Sequence, residues 1–108
     1  MIGRLLNRTL AVWRPVDADD GYGGQETTLV LQGEVRAKVD QPAASDRVLA
    51  QQAGAEHTHD VYLLPTADVE RGDELHGGGQ VLTVRSVVEP SSTRYRKAEC
   101  RLLQRRGD

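Results

Sequence analysis

A chain of 108 residues, 38% hydrophobic and 28% charged, has room for one domain with an ordinary apolar core. Fourteen basic against sixteen acidic side chains leave a net charge of −2, which disfavours a protein whose whole surface grips nucleic acid. No apolar run reaches the roughly 20 residues of a membrane span, residues 1–8 lack the apolar run of a signal peptide, and the lone Cys100 excludes an internal disulfide and suits a reducing compartment.

Twelve Val and twelve Leu stand against one Trp, three Tyr and no Phe, so the core must be aliphatic. Valine favours strands, and eleven Gly with four Pro supply turns. The first strand is expected over residues 8–16, where Leu10 and Val12 share one face and Ala11 and Trp13 the other. Residues 17–24, rich in Asp and Gly, mark a loop or a long hairpin tip. Over residues 27–40, Val35, Ala37 and Val39 alternate with Glu34, Arg36, Lys38 and Asp40, as in a half-buried strand. Gly33 interrupts that strand and predicts a bulge or sharp bend, which lets a small sheet curl into a barrel.

Residues 41–56 break the alternation, either as a short helix capped by Ser45 or as an extended mobile loop. Structureless loops of that length in compact domains tend to be functional. Residues 57–64 alternate again, with His57, His59, Val61 and Leu63 on one face and Tyr62 and Leu64 on the other. Arg71-Gly72-Asp73 reads as a turn, Leu75 opens a short strand, and Gly77-Gly78-Gly79 reverses it. Residues 81–88 are apolar on both faces, as a central strand is. The last strand, residues 95–104, turns Ala98, Cys100 and Leu102 inward. The fold class expected is all-β: a small antiparallel β-barrel of about five to six strands, with a long loop after the second strand and little helix. One domain, residues 1–108, carries it.

Few residues offer chemistry. His57 and His59, at i and i+2 on a strand, are weak zinc candidates, with Glu56 or His76 as a third ligand, but the spacing lacks the third histidine of a metallohydrolase motif. Asp17, Asp19 and Asp20 resemble the start of a calcium loop, yet Gly21, Tyr22 and Thr28 occupy the positions that need an acid, a glycine and a glutamate. The triple glycine has no following Lys-Ser or Lys-Thr and so makes no phosphate cradle. Cys100 has no base at a spacing that would make it a nucleophile. No catalytic residue, enzyme activity or cofactor is expected. Charge is uneven, however. Residues 60–74 hold Asp60, Asp68, Glu70, Asp73 and Glu74 against Arg71, while residues 94–106 hold Arg94, Arg96, Lys97, Arg101, Arg105 and Arg106 against Glu99. Besides ordinary solvated faces, this fits a head-to-tail contact between copies of the chain.

The order of the pieces resembles the phage head–tail connector proteins, which include head–tail adaptor, joining and head-closure or stopper proteins. The resemblance rests on Trp13-Arg14-Pro15, Asp20-Gly-Tyr-Gly-Gly24, and Gly33-Glu-Val-Arg-Ala-Lys-Val-Asp-Gln-Pro42. It continues through Glu56-His-Thr-His-Asp-Val-Tyr-Leu63, Arg71-Gly-Asp-Glu-Leu75, Gly79-Gln-Val-Leu-Thr-Val-Arg-Ser-Val87 and the final strand from residue 96 to 103. Leu64-Pro65 stands where family members often have a basic residue, and the aromatic they often carry near Val81 is missing. The resemblance implies a structural virion protein of the head–tail neck, assembled in the bacterial host cytoplasm. It implies a homo-oligomeric ring of roughly twelve copies, a dodecamer, with a portal or adaptor protein above and a tail-side joining or terminator protein below. Packaged double-stranded DNA would pass through without sequence-specific binding, and no membrane is involved. In stopper members the loop after the second strand enters the channel, which assigns Gln41, Pro42, Ser45, Asp46, Arg47, Gln51, Gln52 and Glu56 to a gating loop here. Trp13, Arg71, Asp73, Glu74, Tyr95, Arg96, Arg101 and Arg105 are the interface candidates. The alternatives are an OB- or SH3-like nucleic-acid-binding module, for which the four aromatics are too few and scattered, and a small zinc hydrolase on His57 and His59.

Overall fold

The computed structural model describes residues 6–41, 57–89 and 94–105. They form β1 (Arg8–Asp19), β2 (Gln25–Asp40), β3 (His59–Leu63), β4 (Glu74–Gly77), β5 (Gln80–Val88) and β6 (Arg96–Arg105). The strands close into a barrel in the order β1-β2-β3-β6-β5-β4, every neighbouring pair antiparallel. Closure between the first and last strands of that order takes only three pairs, Ala11↔His76, Val12↔Leu75 and Trp13↔Glu74. No helix occurs among the described residues, and the helix considered after Ser45 lies outside them.

Period-two patterning builds the core. Leu10 and Val12 of β1, Ala37 of β2, Val61 and Leu63 of β3, and Leu75 of β4 point inward together with Leu82 and Val84 of β5 and Ala98 and Cys100 of β6. Val69, from the connection between β3 and β4, joins them. Each fully buried Leu or Val contributes about 1.5–3 kcal/mol relative to exposure, and the absence of large rings fits a barrel of this bore. Leu102, expected inward, is only partly buried but packs against the same cluster.

Three register shifts let the sheet curl, one between β1 and β2 and two between β5 and β6. Val12 pairs with Gly33 but Trp13 pairs with Leu31, so Gln32 is an extra residue and β2 bulges there. Gly33 has φ +142°, a conformation that side chains with a Cβ rarely adopt. Between Val81 and Leu82 the partner jumps from Gln104 to Leu102, so Leu103 is an extra residue and β6 bulges there. The Gly77↔Gln80 pair leaves a two-residue turn, Gly78-Gly79, with φ +58° and +76°, the signs a tight hairpin turn requires.

The first two strands run further than their alternation suggests. β1 continues to Asp19 and β2 begins at Gln25, joined by a bend over residues 20–24. Of the two readings of residues 17–24, a long hairpin tip is the one the structure adopts.

Candidate interaction surface

Past the bulge, β1 and β2 leave the barrel as a two-stranded ribbon. β4 pairs with β1 only through Trp13, and β3 pairs with β2 only from Ala37 to Asp40. Among the described residues, the two strands from Arg14↔Val30 to Asp19↔Gln25 therefore have only each other, and both outer edges are open there. Because paired residues share a face, one face carries Trp13, Leu31, Pro15 and Leu29, and the other Arg14, Val30, Val16 and Thr28. Val16 is 42%, Leu29 41%, Val30 43% and Leu31 51% exposed. An open, apolar edge of this kind is a template for pairing with another chain.

The ribbon is fixed at its root and shaped at its tip. Arg14 donates from Nε to Asp73 Oδ1 and from a terminal nitrogen to Asp73 Oδ2, both at 2.9 Å, and reaches Asp68 at 3.1 Å. Asp73 is 1% exposed and also accepts from the Glu70 amide at 2.8 Å, so this two-pronged pair locks the ribbon to the β3–β4 connection. The Asp73 contact raises the Arg14 pKa above its ordinary value, and the guanidinium stays charged throughout. Trp13 leans on His76 with ring centroids 5.8 Å apart. At the tip, Asp19 accepts from the Gly21 amide, while Asp20 accepts from the amides of Tyr22 and Gly24. These carboxylates shape a turn rather than a calcium loop. Tyr22 projects from it, 94% exposed.

An apolar cleft of about 330 Å³ opens where β2 bends away, lined by Val12, Gly33, Val35, Leu64 and Ala67 among others. It lies beside the root of the ribbon, since Gln32 and Gly33 belong to both.

The residues singled out from sequence are placed as follows. Gln41 is exposed at the end of β2; Pro42, Ser45, Asp46, Arg47, Gln51, Gln52 and Glu56 lie outside the described residues. Trp13 is half-buried at the ribbon root, and Tyr95 is half-buried against Tyr62, centroids 5.7 Å apart. Burial is the first cause of a raised Tyr62 pKa. Arg71 and Arg101 are exposed, whereas Arg105 enters only as the β6 backbone opposite Gln80. Asp73 is buried and held by Arg14, so it presents no surface to a neighbour. Glu74 lies 2.9 Å from His76, and Arg96 donates to the Ala67 carbonyl at 2.8 Å and pairs with Glu89. Much of the acidic block thus finds its partner inside the chain: Asp68 and Asp73 pair with Arg14, Asp60 lies against His57, and Glu74 against His76. His57 and His59 do not converge: His57 turns to Asp60, and His59 is buried at 5% exposure with its Nδ1 2.9 Å from Thr58 Oγ1. Sequence reasoning missed Val16, Leu29, Val30 and Leu31, the unbroken Leu-Val-Leu being the available signal.

An aliphatic barrel with a projecting, partly apolar ribbon presents a surface suited to contact with another chain. The profile of the phage head completion proteins matches residues 1–103. The chain belongs to that family. This head completion protein is accordingly a structural component of the phage head–tail region. Its fold is similar to the solution structure of protein SF1141 from Shigella flexneri 2a, at 14% identity over 90% of this chain and 92% of that one, with a TM-score of 0.75. It is also similar to a chain of the virion of a native gene transfer agent particle, at 21% identity over 91% of this chain and 96% of that one, TM-score 0.54. Identities this low show a shared fold alone. No curated protein matches this head completion protein in sequence.

Proposed function

We propose that the protein is a head-closure subunit that assembles into a ring beneath the portal, extends the DNA channel and offers a face to which the tail attaches. The observation that carries this reading is the β1–β2 ribbon: an arm apolar on both faces, open at both edges and rigidly rooted by Arg14 on Asp73. Such an arm has no use in a lone barrel and suits a contact with the next copy around a ring. Its tip region, residues 17–26, holds four acids and no base. The barrel also exposes Arg94, just before β6, a charge of the sign the neighbour's acidic arm tip would meet. The segment 41–56 leads from β2 towards β3, strands whose Asp40 and Asp60 are cross-strand partners. In the ring it projects into the channel and blocks DNA by steric narrowing, and its net charge of −1 spares it tight phosphate contacts.

The deciding experiment is electron microscopy of particles from the parent element with this gene deleted. The proposal expects filled or leaking heads without tails, restored by the gene supplied in trans. Normal tailed, DNA-filled particles would remove the head-closure role. The gene transfer agent virion that contains a chain of similar fold supports a place in the particle, and a phage or phage-like particle is the context to test.

A further inference from the structure

On the outer face of the barrel, three carboxylates stand in one row across neighbouring strands. Asp40 of β2 pairs with Asp60 of β3, and Asp60 pairs with Glu99 of β6. Like charges directly opposite one another destabilise a sheet unless something neutralises them. Lys38 reaches Asp40 at 3.2 Å, but Lys97 stands 3.9 Å from Glu99, and no lysine or arginine pairs with Asp60 among the described residues. His57 is the side chain that meets Asp60: its Nε2 lies 2.6 Å from Asp60 Oδ1. The placement is built, not incidental. The Thr58 amide donates to the Cys100 carbonyl at 2.9 Å, and the Leu102 amide donates to Thr58 Oγ1 at 2.7 Å. These bonds extend the β3–β6 ladder by one step and hold His57 over the carboxylates. Its side chain is 15% exposed, that of Asp60 12% and that of Glu99 33%, so the group is drier than an ordinary surface cluster.

Ligand atoms of His57, Asp60 and Glu99 all lie within 4.8 Å of one another. We infer that these three side chains form a binding site for a divalent cation of the zinc class, with water completing its shell. One imidazole nitrogen and two carboxylate oxygens are a mixed donor set that zinc accepts, and the partial exposure of Glu99 leaves a path for the ion to enter. A cation held there neutralises facing carboxylates on adjacent strands. It also ties residue 57, where the segment 41–56 rejoins the barrel, to β6. The pair of histidines suggested by spacing is thereby replaced by one histidine and two acids from separate strands.

The site depends on the barrel alone, so its failure leaves the head-closure reading standing, and the reverse holds. The test is calorimetric and thermal titration of chelator-treated full-length protein with zinc chloride. Saturable binding at one ion per chain is expected, with a Tm rise of roughly 10 °C at about a hundredfold excess over Kd. His57→Ala and Glu99→Gln, both outside the core, should each weaken binding at least roughly tenfold, as should the near-isosteric Asp60→Asn. His76→Ala, which removes the imidazole beside Glu74, should leave it unchanged. Absence of saturable heat overturns the inference, as does binding that survives the site variants or falls equally with His76→Ala. Circular dichroism of each variant excludes loss by unfolding, and three separate site variants keep the outcome decisive should one of them not fold.

Discussion

Two single residues carry stability in ways that solution measurements can separate. Cys100 lies in the core with no exposure, and burial pushes its thiol from 9.0 up to about 12. Below pH 9 the thiol is protonated in both folded and unfolded chains, and its contribution is fully present. As pH rises further the unfolded chain releases the proton and the native one does not, so stability falls until the native thiol also titrates. At about pH 10.5 the loss should be about 2 kcal/mol, read as a lower urea midpoint than at about pH 8. The raised Tyr62 adds to the same slope, so Cys100→Ala should flatten the alkaline limb without abolishing it. Arg14 acts through charge. Removing it leaves Asp73 buried at 1% exposure without its cation, and Arg14→Met should cost about 3 kcal/mol by urea unfolding. The double change Arg14→Met with Asp73→Leu should recover part of that loss, because the uncompensated charge goes with it.

At the scale of elements, the ribbon is the part that stability does not need. Its apolar residues are two-fifths or more exposed, so Leu29→Asp with Leu31→Asp should change the isolated protein's stability by less than about 0.5 kcal/mol each. The same double variant should lose self-association in sedimentation velocity and fail to complement the gene deletion. A large fall in Tm would instead make the ribbon part of the barrel's own packing. The strands themselves were legible: Val35, Ala37 and Val39 alternate cleanly, and Gly33 announces the bulge that bends them. The ribbon was not, because Leu29, Val30 and Leu31 have the unbroken apolar pattern of a strand buried on both faces. Exposure there is set by where neighbouring strands end, which no local pattern records. The same is true of the ion pairs. Arg14 and Asp73 are 59 positions apart, so a block of acids that looked free along the chain has its counter-charges on distant strands. His57 was visible as a candidate ligand but its partners were not, since Glu99 reaches it only through the register of β3 against β6.

For the whole molecule, the channel role proposed for the segment 41–56 can be tested separately from folding. Asp40 and Asp60 are cross-strand partners, so the strands the segment joins are already at hairpin distance at that pair. Replacing most of it with a short Asn-Gly turn lowers the entropy cost of closing that loop and leaves the pairing of β2 with β3 untouched. Among the described residues the core draws on all six strands and on Val69. The shortened protein should therefore melt at or slightly above the temperature of the full chain and, with the ribbon intact, still self-associate. Particles carrying it should attach tails yet lose packaged DNA, measured as nuclease-accessible DNA per particle. That pattern requires the ring to join head to tail through the barrel and ribbon while the segment alone closes the channel. Full DNA retention with the shortened segment would move the closing element elsewhere in the neck, and loss of tails would mean the segment belongs to the docking face.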